Sequence, residues 1–288
     1  MPGFPLVAFL IATALYVVHA LGSLAALAWR GRTNAALRWA PLGAALALHT
    51  AFLVIRGIQE GGAPTATRLD SVALFLWLTA AVFLASSRAY RLEGLARVFW
   101  PVYAAGAVAA WFLGGEALEV RSATDRLWLL LHLIPIYVGY AAFAIAAGAA
   151  LGYLVQERLL RRKAGGAPWR KLPSLEGLER VGRAALTLGF PPLTLGLVAG
   201  AIWAERSSAL LGHAWYVDPK VVGGIVVWLF YAAVLHVRLF TRLRGRRAAL
   251  LTLAGFLLTL LSFTAAHVYR GPTRGAAAPP APGRASGP

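Results

Sequence analysis

The chain has 288 residues, 59% of them hydrophobic and 14% charged, and its 28 Lys and Arg against 11 Asp and Glu give a formal net charge of +17. Apolar runs of about twenty residues recur along it, long enough for several bilayer-spanning helices, so the composition is that of an integral membrane protein. Cysteine is absent, which excludes disulfide exchange, thiolate-held zinc or iron–sulfur clusters and a Cys-X-X-Cys-His haem attachment site within the chain itself.

In chain order the sequence predicts eight spans, at about 4–29, 39–58, 71–87, 98–114, 127–157, 184–204, 220–240 and 248–269, separated by polar or Gly/Pro-rich breaks. Their length decides helix over strand, because a barrel strand needs only about ten residues of alternating character. The fold class is therefore an all-α integral membrane protein, a bundle of about eight transmembrane helices. The first span, carrying His19, has no basic stretch before it and no small-residue cleavage site after it, and reads as a retained helix. The second carries His49. The fifth, with His132, is longer than a bilayer requires and is expected to tilt or to project beyond it. The seventh, with His236, follows the loop G-H-A-W-Y-V-D-P-K, and the eighth ends at His267. Residues 1–270 thus read as one polytopic membrane domain and the Ala/Pro/Gly/Arg-rich residues 271–288 as a disordered tail.

Orientation follows from the basic residues. With the N-terminus outside, Arg30/Arg32/Arg38, Arg88/Arg91/Arg97, the connection Arg158 to Arg183 and the connection Arg238 to Arg247 share one side, and together hold 19 of the 28 basic residues. The positive-inside rule makes that side cytoplasmic, so both termini and the His213 loop face outward. Charge confined to short connections argues for topology and contact with anionic membrane lipids, and against nucleic acid as a partner. The connection from Arg158 to Arg183, with Pro168, Trp169 and Pro173, reads as a solvated basic segment that sets topology or as an interfacial element on the inner leaflet, the first being the simpler reading.

An ionisable residue at membrane depth is costly enough to be a functional candidate. Of the six histidines, five fall within or at the ends of spans, and depth sorts them into two groups. His132 and His267 stand at the outer ends of their spans, with His213 in the outer loop. His19, His49 and His236 lie deeper. A single such imidazole can simply hydrogen-bond a neighbouring helix. Two pairs without thiolates or clustered carboxylates suit haem iron with axial histidines better than zinc. In the outer loop, Asp218 followed by Pro219 is an N-cap with proline at the first helical position. Lys220 in the first turn opposes the helix dipole, and a helix N-terminus plus a lysine makes a site for an anion such as a haem propionate. Trp215 and Tyr216 offer flat faces to a porphyrin, or serve as interfacial aromatics.

The stretch G-L-V-A-G-A-I-W-A-E…G-H-A-W-Y-V-D-P-K…V-V-W-L-F-Y-A-A-V-L-H-V-R resembles the tryptophan-rich segment of the cytochrome c assembly family, the CcsA/CcmC/HemX group. Three other segments resemble it in the same order: Leu48 to Trp77, Trp128 to Phe143 and Ala265 to Gly271. The resemblance implies that His132 and His267 are outer haem ligands flanking the loop of Trp215, Asp218 and Lys220. It implies that His236 is the transmembrane ligand, with His19 or His49 as its partner. It further implies haem b as cofactor, a second cytochrome c assembly subunit and apocytochrome c as partners, and a multi-pass place in the plasma or inner membrane. The sequence departs from the family pattern at Leu211 and Val217, where the family has tryptophans, and at Val221, where it has glutamate.

The leading expectation is a membrane haem-handling protein assisting cytochrome c biogenesis. A HemX-like regulator or scaffold of tetrapyrrole synthesis and a small-molecule transporter are the alternatives. No nucleophile triad, phosphate-binding glycine loop or carboxylate pair marks a catalytic site.

Overall fold

The computed structural model describes residues 3–28, 35–62, 64–65, 67–90, 93–113, 123–162, 174–211, 215–241 and 243–268. Among these residues the chain forms eight α-helices: α1 (Gly3–Ala28), α2 (Ala35–Glu60), α3 (Arg68–Tyr90), α4 (Glu93–Ala110), α5 (Ala123–Arg161), α6 (Leu175–Leu211), α7 (Pro219–Phe240) and α8 (Arg246–Val268). Each predicted span falls on one helix in the predicted order. Seven of the helices are long and apolar enough to cross a membrane, and the chain is a multi-pass membrane protein. The tail at 271–288 lies outside the described residues.

The fourth span differs in degree. Its apolar part, Phe99–Ala110, is shorter than in the other seven, because Glu93 and Arg97 occupy the start of α4 and the helix tightens into a 3-10 turn at Trp111–Leu113. At 1.5 Å per residue, α4 as a whole extends about 27 Å, close to the hydrocarbon thickness of a bilayer. Its inward face, with Phe99, Trp100 and Tyr103, is buried against α1 and α3.

α6 is longer at both ends than the predicted 184–204. Its first two turns, L-E-G-L-E-R-V-G, are too polar for a hydropathy reading but form an amphipathic helix, started by Ser174, whose Oγ accepts from the Gly177 N–H at 3.1 Å. Leu178 and Val181 of this extension are buried. α5 also overruns the bilayer, as expected, so part of the basic connection continues these two helices; residues 163–173 lie outside the described residues.

Two side-chain clusters hold the bundle. One joins α1 to α4 around Phe9, Tyr16, Phe52, Phe83 and Trp100, with Phe83 stacked on Phe99 at 3.8 Å. The other joins α5 to α8 around Tyr137, Leu193 and Tyr231, with Phe143 stacked on Tyr231 at 3.7 Å. The tightest helix pair is α5 with α6. A Cβ at Gly189 would stand 2.8 Å from the Ala142 Cβ, so backbone meets backbone through small residues, as helix association in lipid favours. Tyr140 meets Phe263 while Ala149 and Ala249 line one cleft, so α5 and α8 run antiparallel.

Candidate functional site

His132 sits near the start of α5, part-buried against α6. Its Nδ1 lies 2.8 Å from the carbonyl oxygen of Gly196. A carbonyl only accepts, so Nδ1 carries the hydrogen and Nε2 presents its lone pair. Outer-shell hydrogen bonds of this kind fix the tautomer of metal-binding imidazoles and raise their basicity. The slot exists because Gly196 and Gly200 line α6 here. A Cβ at Gly196 would come 2.9 Å from the His132 carbonyl oxygen, and one at Gly200 would collide with the His132 ring itself.

Trp128 stands one turn before His132 on the same face of α5. The guanidinium of Arg206 on α6 lies over its ring, 5.0 Å from the centroid. The neighbouring Glu205 accepts a 2.9 Å hydrogen bond from Trp215 Nε1, which ties the 3-10 turn Trp215–Val217 to the end of α6. Tyr216 is exposed and meets Trp215 edge-on, so the two rings do not form one flat platform. Asp218 caps α7, its Oδ1 accepting from the Lys220 N–H at 2.8 Å, with Pro219 in the first turn. The carboxylate therefore already serves the helix N-terminus. Lys220 is exposed in that first turn.

His267 stands on α8 one turn beyond Phe263, whose ring meets Tyr137 and Tyr140. Since α5 and α8 are antiparallel, the helix positions of His132 and His267 approach the same end of the bundle. The His267 side chain and all of His213 lie outside the described residues.

The deeper histidines separate. His19, 3% exposed, is flanked by Trp39 at 5.8 Å and Trp100 at 5.5 Å, between α1, α2 and α4. His49 is fully buried in the same half of the bundle. Its Nδ1 lies 3.2 Å from Tyr16 Oη, while among the described residues Nε2 meets no partner of hydrogen-bonding geometry, with the Ala73 backbone beside the ring. His236 is exposed on α7 near its other end, its ring 4.5 Å from that of Phe240. α7 packs on α6 and α8 rather than on α1 or α2. The structure thus groups His19 with His49, and brings neither to His236.

The junction of α2 and α3 adds a feature that hydropathy alone does not show. Thr67 and Asp70 form a reciprocal cap at the start of α3: the Asp70 N–H donates to Thr67 Oγ1 at 3.1 Å and the Thr67 N–H to Asp70 Oδ2 at 3.0 Å. Asp70 is 1% exposed and pairs with Arg56 of α2, whose Nε lies 2.8 Å from Oδ1. The T-x-x-D spacing ahead of an apolar run was the available signal. Arg206 was missed because an arginine at a helix end looks like any interfacial cation.

A multi-pass α-helical membrane protein is defined by this arrangement, with a tautomer-fixed histidine at one end beside an aromatic turn. Residues 65–270 match the family described as Cytochrome C assembly protein, and the chain belongs to that family. It is 28% identical over 241 residues to a cytochrome c biogenesis protein CcsA of Synechococcus sp. (strain CC9605), covering 75% of this chain and 78% of that protein. It is 27% identical over 267 residues to the CcsA of Synechococcus sp. (strain WH7803), covering 81% and 82%. A CcsA of Prochlorococcus marinus (strain NATL1A) is 28% identical over 243 residues, covering 74% and 76%.

Proposed function

We propose that this chain carries haem b as cargo in cytochrome c biogenesis, holding it at the outer end of the bundle through His132 and His267. A role in cytochrome c biogenesis follows from the family and from the names its relatives carry. The observation that carries the finer reading is the Nδ1 bond of His132 to Gly196, which leaves Nε2 as a neutral donor in a part-buried setting. Bound haem iron takes axial imidazoles of this form. Trp215 offers an indole face held by Glu205, and Lys220 and Arg206 are cations at the same end for the propionates. Asp218 acts through the fold, starting α7 so that Lys220 enters its first turn.

The chain contains no cysteine, so the sulfur of any cytochrome attachment belongs to apocytochrome c, with a second assembly subunit as the further partner. His236 is the donor toward the basic end. Its exposure on α7 suits a second axial group from outside this bundle, leaving His19 and His49 to the interior of α1, α2 and α4. The setting is the plasma or inner membrane, with the basic end cytoplasmic.

The test is the visible spectrum of the protein purified in detergent from haem-replete cells, beside the double variants His132→Ala/His267→Ala and His19→Ala/His236→Ala. A Soret band lost in the first double variant is the expected result. No band in any sample, even after haem is added, would leave regulation of tetrapyrrole synthesis or small-molecule transport as the function.

A further inference from the structure

α5 and α6 carry proline at nearly the same level of the bundle. Proline has no N–H, so Pro135 leaves the Leu131 carbonyl without its helical donor, and Pro191 and Pro192 do the same to Thr187 and Leu188, two adjacent rungs. Glycine contacts set the register of the seam. Gly189 faces Ala142 and Gly196 faces Ile136, which puts the α6 break opposite Gly139 and the α5 break opposite Gly196, about 6 Å apart along the helices.

Packing changes at that same level. From Ile136 to Ala150 every residue of α5 but Val138, Ala144 and Gly148 is buried, whereas each residue from Leu127 to Pro135 keeps part of its surface free. From Thr194 to Arg206 on α6, Gly196 alone is buried. In lipid a free apolar face costs little, so packing is what limits motion. The outer arms, 127–134 and 193–206, are held chiefly to each other: His132 bonds the Gly196 carbonyl, and Arg206 lies over Trp128. Through Glu205 the turn at Trp215 is tied to the same arms.

α7 supplies a fulcrum. The Trp228 ring stacks on Phe190 at 5.6 Å, and its Nε1 donates to Thr194 Oγ1 at 2.9 Å, so one side chain grips α6 on both sides of the two prolines. Between the breaks, a Cβ at Gly139 would stand 3.1 Å from the Leu193 Cβ and one at Gly196 3.0 Å from the Ile136 nitrogen. Each of these contacts has a glycine on one side, so the base of the α6 arm can shift over α5 without driving one side chain past another.

We propose that the outer arms of α5 and α6 pivot as one body about Pro135 and Pro191–Pro192, moving His132 toward or away from the outer end of α8. A change of about 20° at the break displaces Arg206, roughly 20 Å further along α6, by about 7 Å. The bond of His132 to Gly196 lies inside the moving body, so the tautomer survives the motion. On the haem reading above, the pivot closes His132 and the helix position of His267 on the cargo and parts them for release.

The test is double electron–electron resonance on the full chain without haem, with spin labels on pairs of introduced cysteines at exposed positions of a chain that has none of its own. Leu127→Cys and Ile202→Cys report the two arms, each against Leu10→Cys on α1, and Leu257→Cys on α8 against Leu10→Cys reports the core. Both arm distributions are expected to be wider than the core distribution by about 5 Å or more. In Pro191→Ala/Pro192→Ala, where the missing α6 rungs can form, both should narrow toward the core width. Arm distributions as narrow as the core distribution in the otherwise unsubstituted chain overturn the proposal, whether or not the proline variant folds. Narrowing at Ile202 with Leu127 unchanged also overturns it, because the arms would then not move as one body. Rigid arms would leave the haem reading standing, and a chain without a Soret band would leave these distances unaffected.

Discussion

His132 and Gly200 face each other across the α5–α6 seam so closely that the glycine has no room for a methyl group on that side. The carbonyl that holds the ring belongs to Gly196, one turn earlier on α6. The orientation of the proposed ligand is therefore set by two glycines of another helix. Gly200→Ala is expected to push the imidazole off the Gly196 carbonyl and to weaken the Soret band nearly as much as His132→Ala does. Helix content by circular dichroism should stay unchanged, since alanine is the better helix former by about 1 kcal/mol. An undiminished band in Gly200→Ala, with loss in His132→Ala, would show that the ring has another way to sit.

The two roles of Asp218 can be separated by substitution. As an N-cap its oxygen accepts from the Lys220 N–H, and asparagine caps about as well as aspartate, whereas alanine costs about 1 kcal/mol. Asp218→Asn is expected to keep the thermal midpoint in detergent and Asp218→Ala to lower it. Haem retention should follow stability in both variants. Loss of haem in Asp218→Asn at unchanged stability would mean that the negative charge itself contacts the cargo or a partner.

Much of this was legible in the sequence, for identifiable reasons. Apolar runs placed all eight helices because lipid demands continuous apolar length, and Asp218-Pro219 announced the start of α7 through cap chemistry that is local. The extension of α6 to Leu175 was not legible from hydropathy, since its polar residues form a helix only by laying Leu178 and Val181 on α5. Depth along a helix was also readable, and it puts His132 and the helix position of His267 at one end. Azimuth was not: His19 and His236 could be matched in depth, but only packing decides that His19 turns into α2 and α4 while His236 turns out of the bundle. The Gly196 carbonyl was invisible for the same reason, being a backbone group on another helix.

Tyr16 and His49 provide a test of the interior histidines. Tyr16→Phe removes the hydroxyl beside His49 Nδ1 and is expected to cost about 1–3 kcal/mol, because a buried polar atom is left without its partner. Adding His49→Leu should recover part of that loss, since it removes the imidazole nitrogen that Tyr16→Phe leaves without its hydroxyl. Thermal denaturation in detergent measures the cycle. A Soret change in His49→Leu comparable with that in His132→Ala would instead place haem in the α1–α2 seam.

The absence of cysteine makes topology directly measurable, because any introduced thiol is unique. Ala63→Cys, Gly115→Cys and Ser286→Cys are expected to react with a membrane-impermeant maleimide on intact cells. Ala164→Cys, in the basic connection, should react only after permeabilisation. The contrast between Ala63→Cys and Gly115→Cys isolates α4. Two further helices, α3 and α4, separate these positions; α3 is long and apolar enough to cross, so equal accessibility requires that α4 crosses as well. If Gly115→Cys were protected while Ala63→Cys reacted, α4 would be a core helix that does not span. The sides of every later connection would then be exchanged, and the basic connection 158–183 would face outward against the positive-inside rule. The concentration of 19 of the 28 basic residues on one side of an eight-span arrangement is the reason to expect that α4, despite its short apolar stretch, crosses.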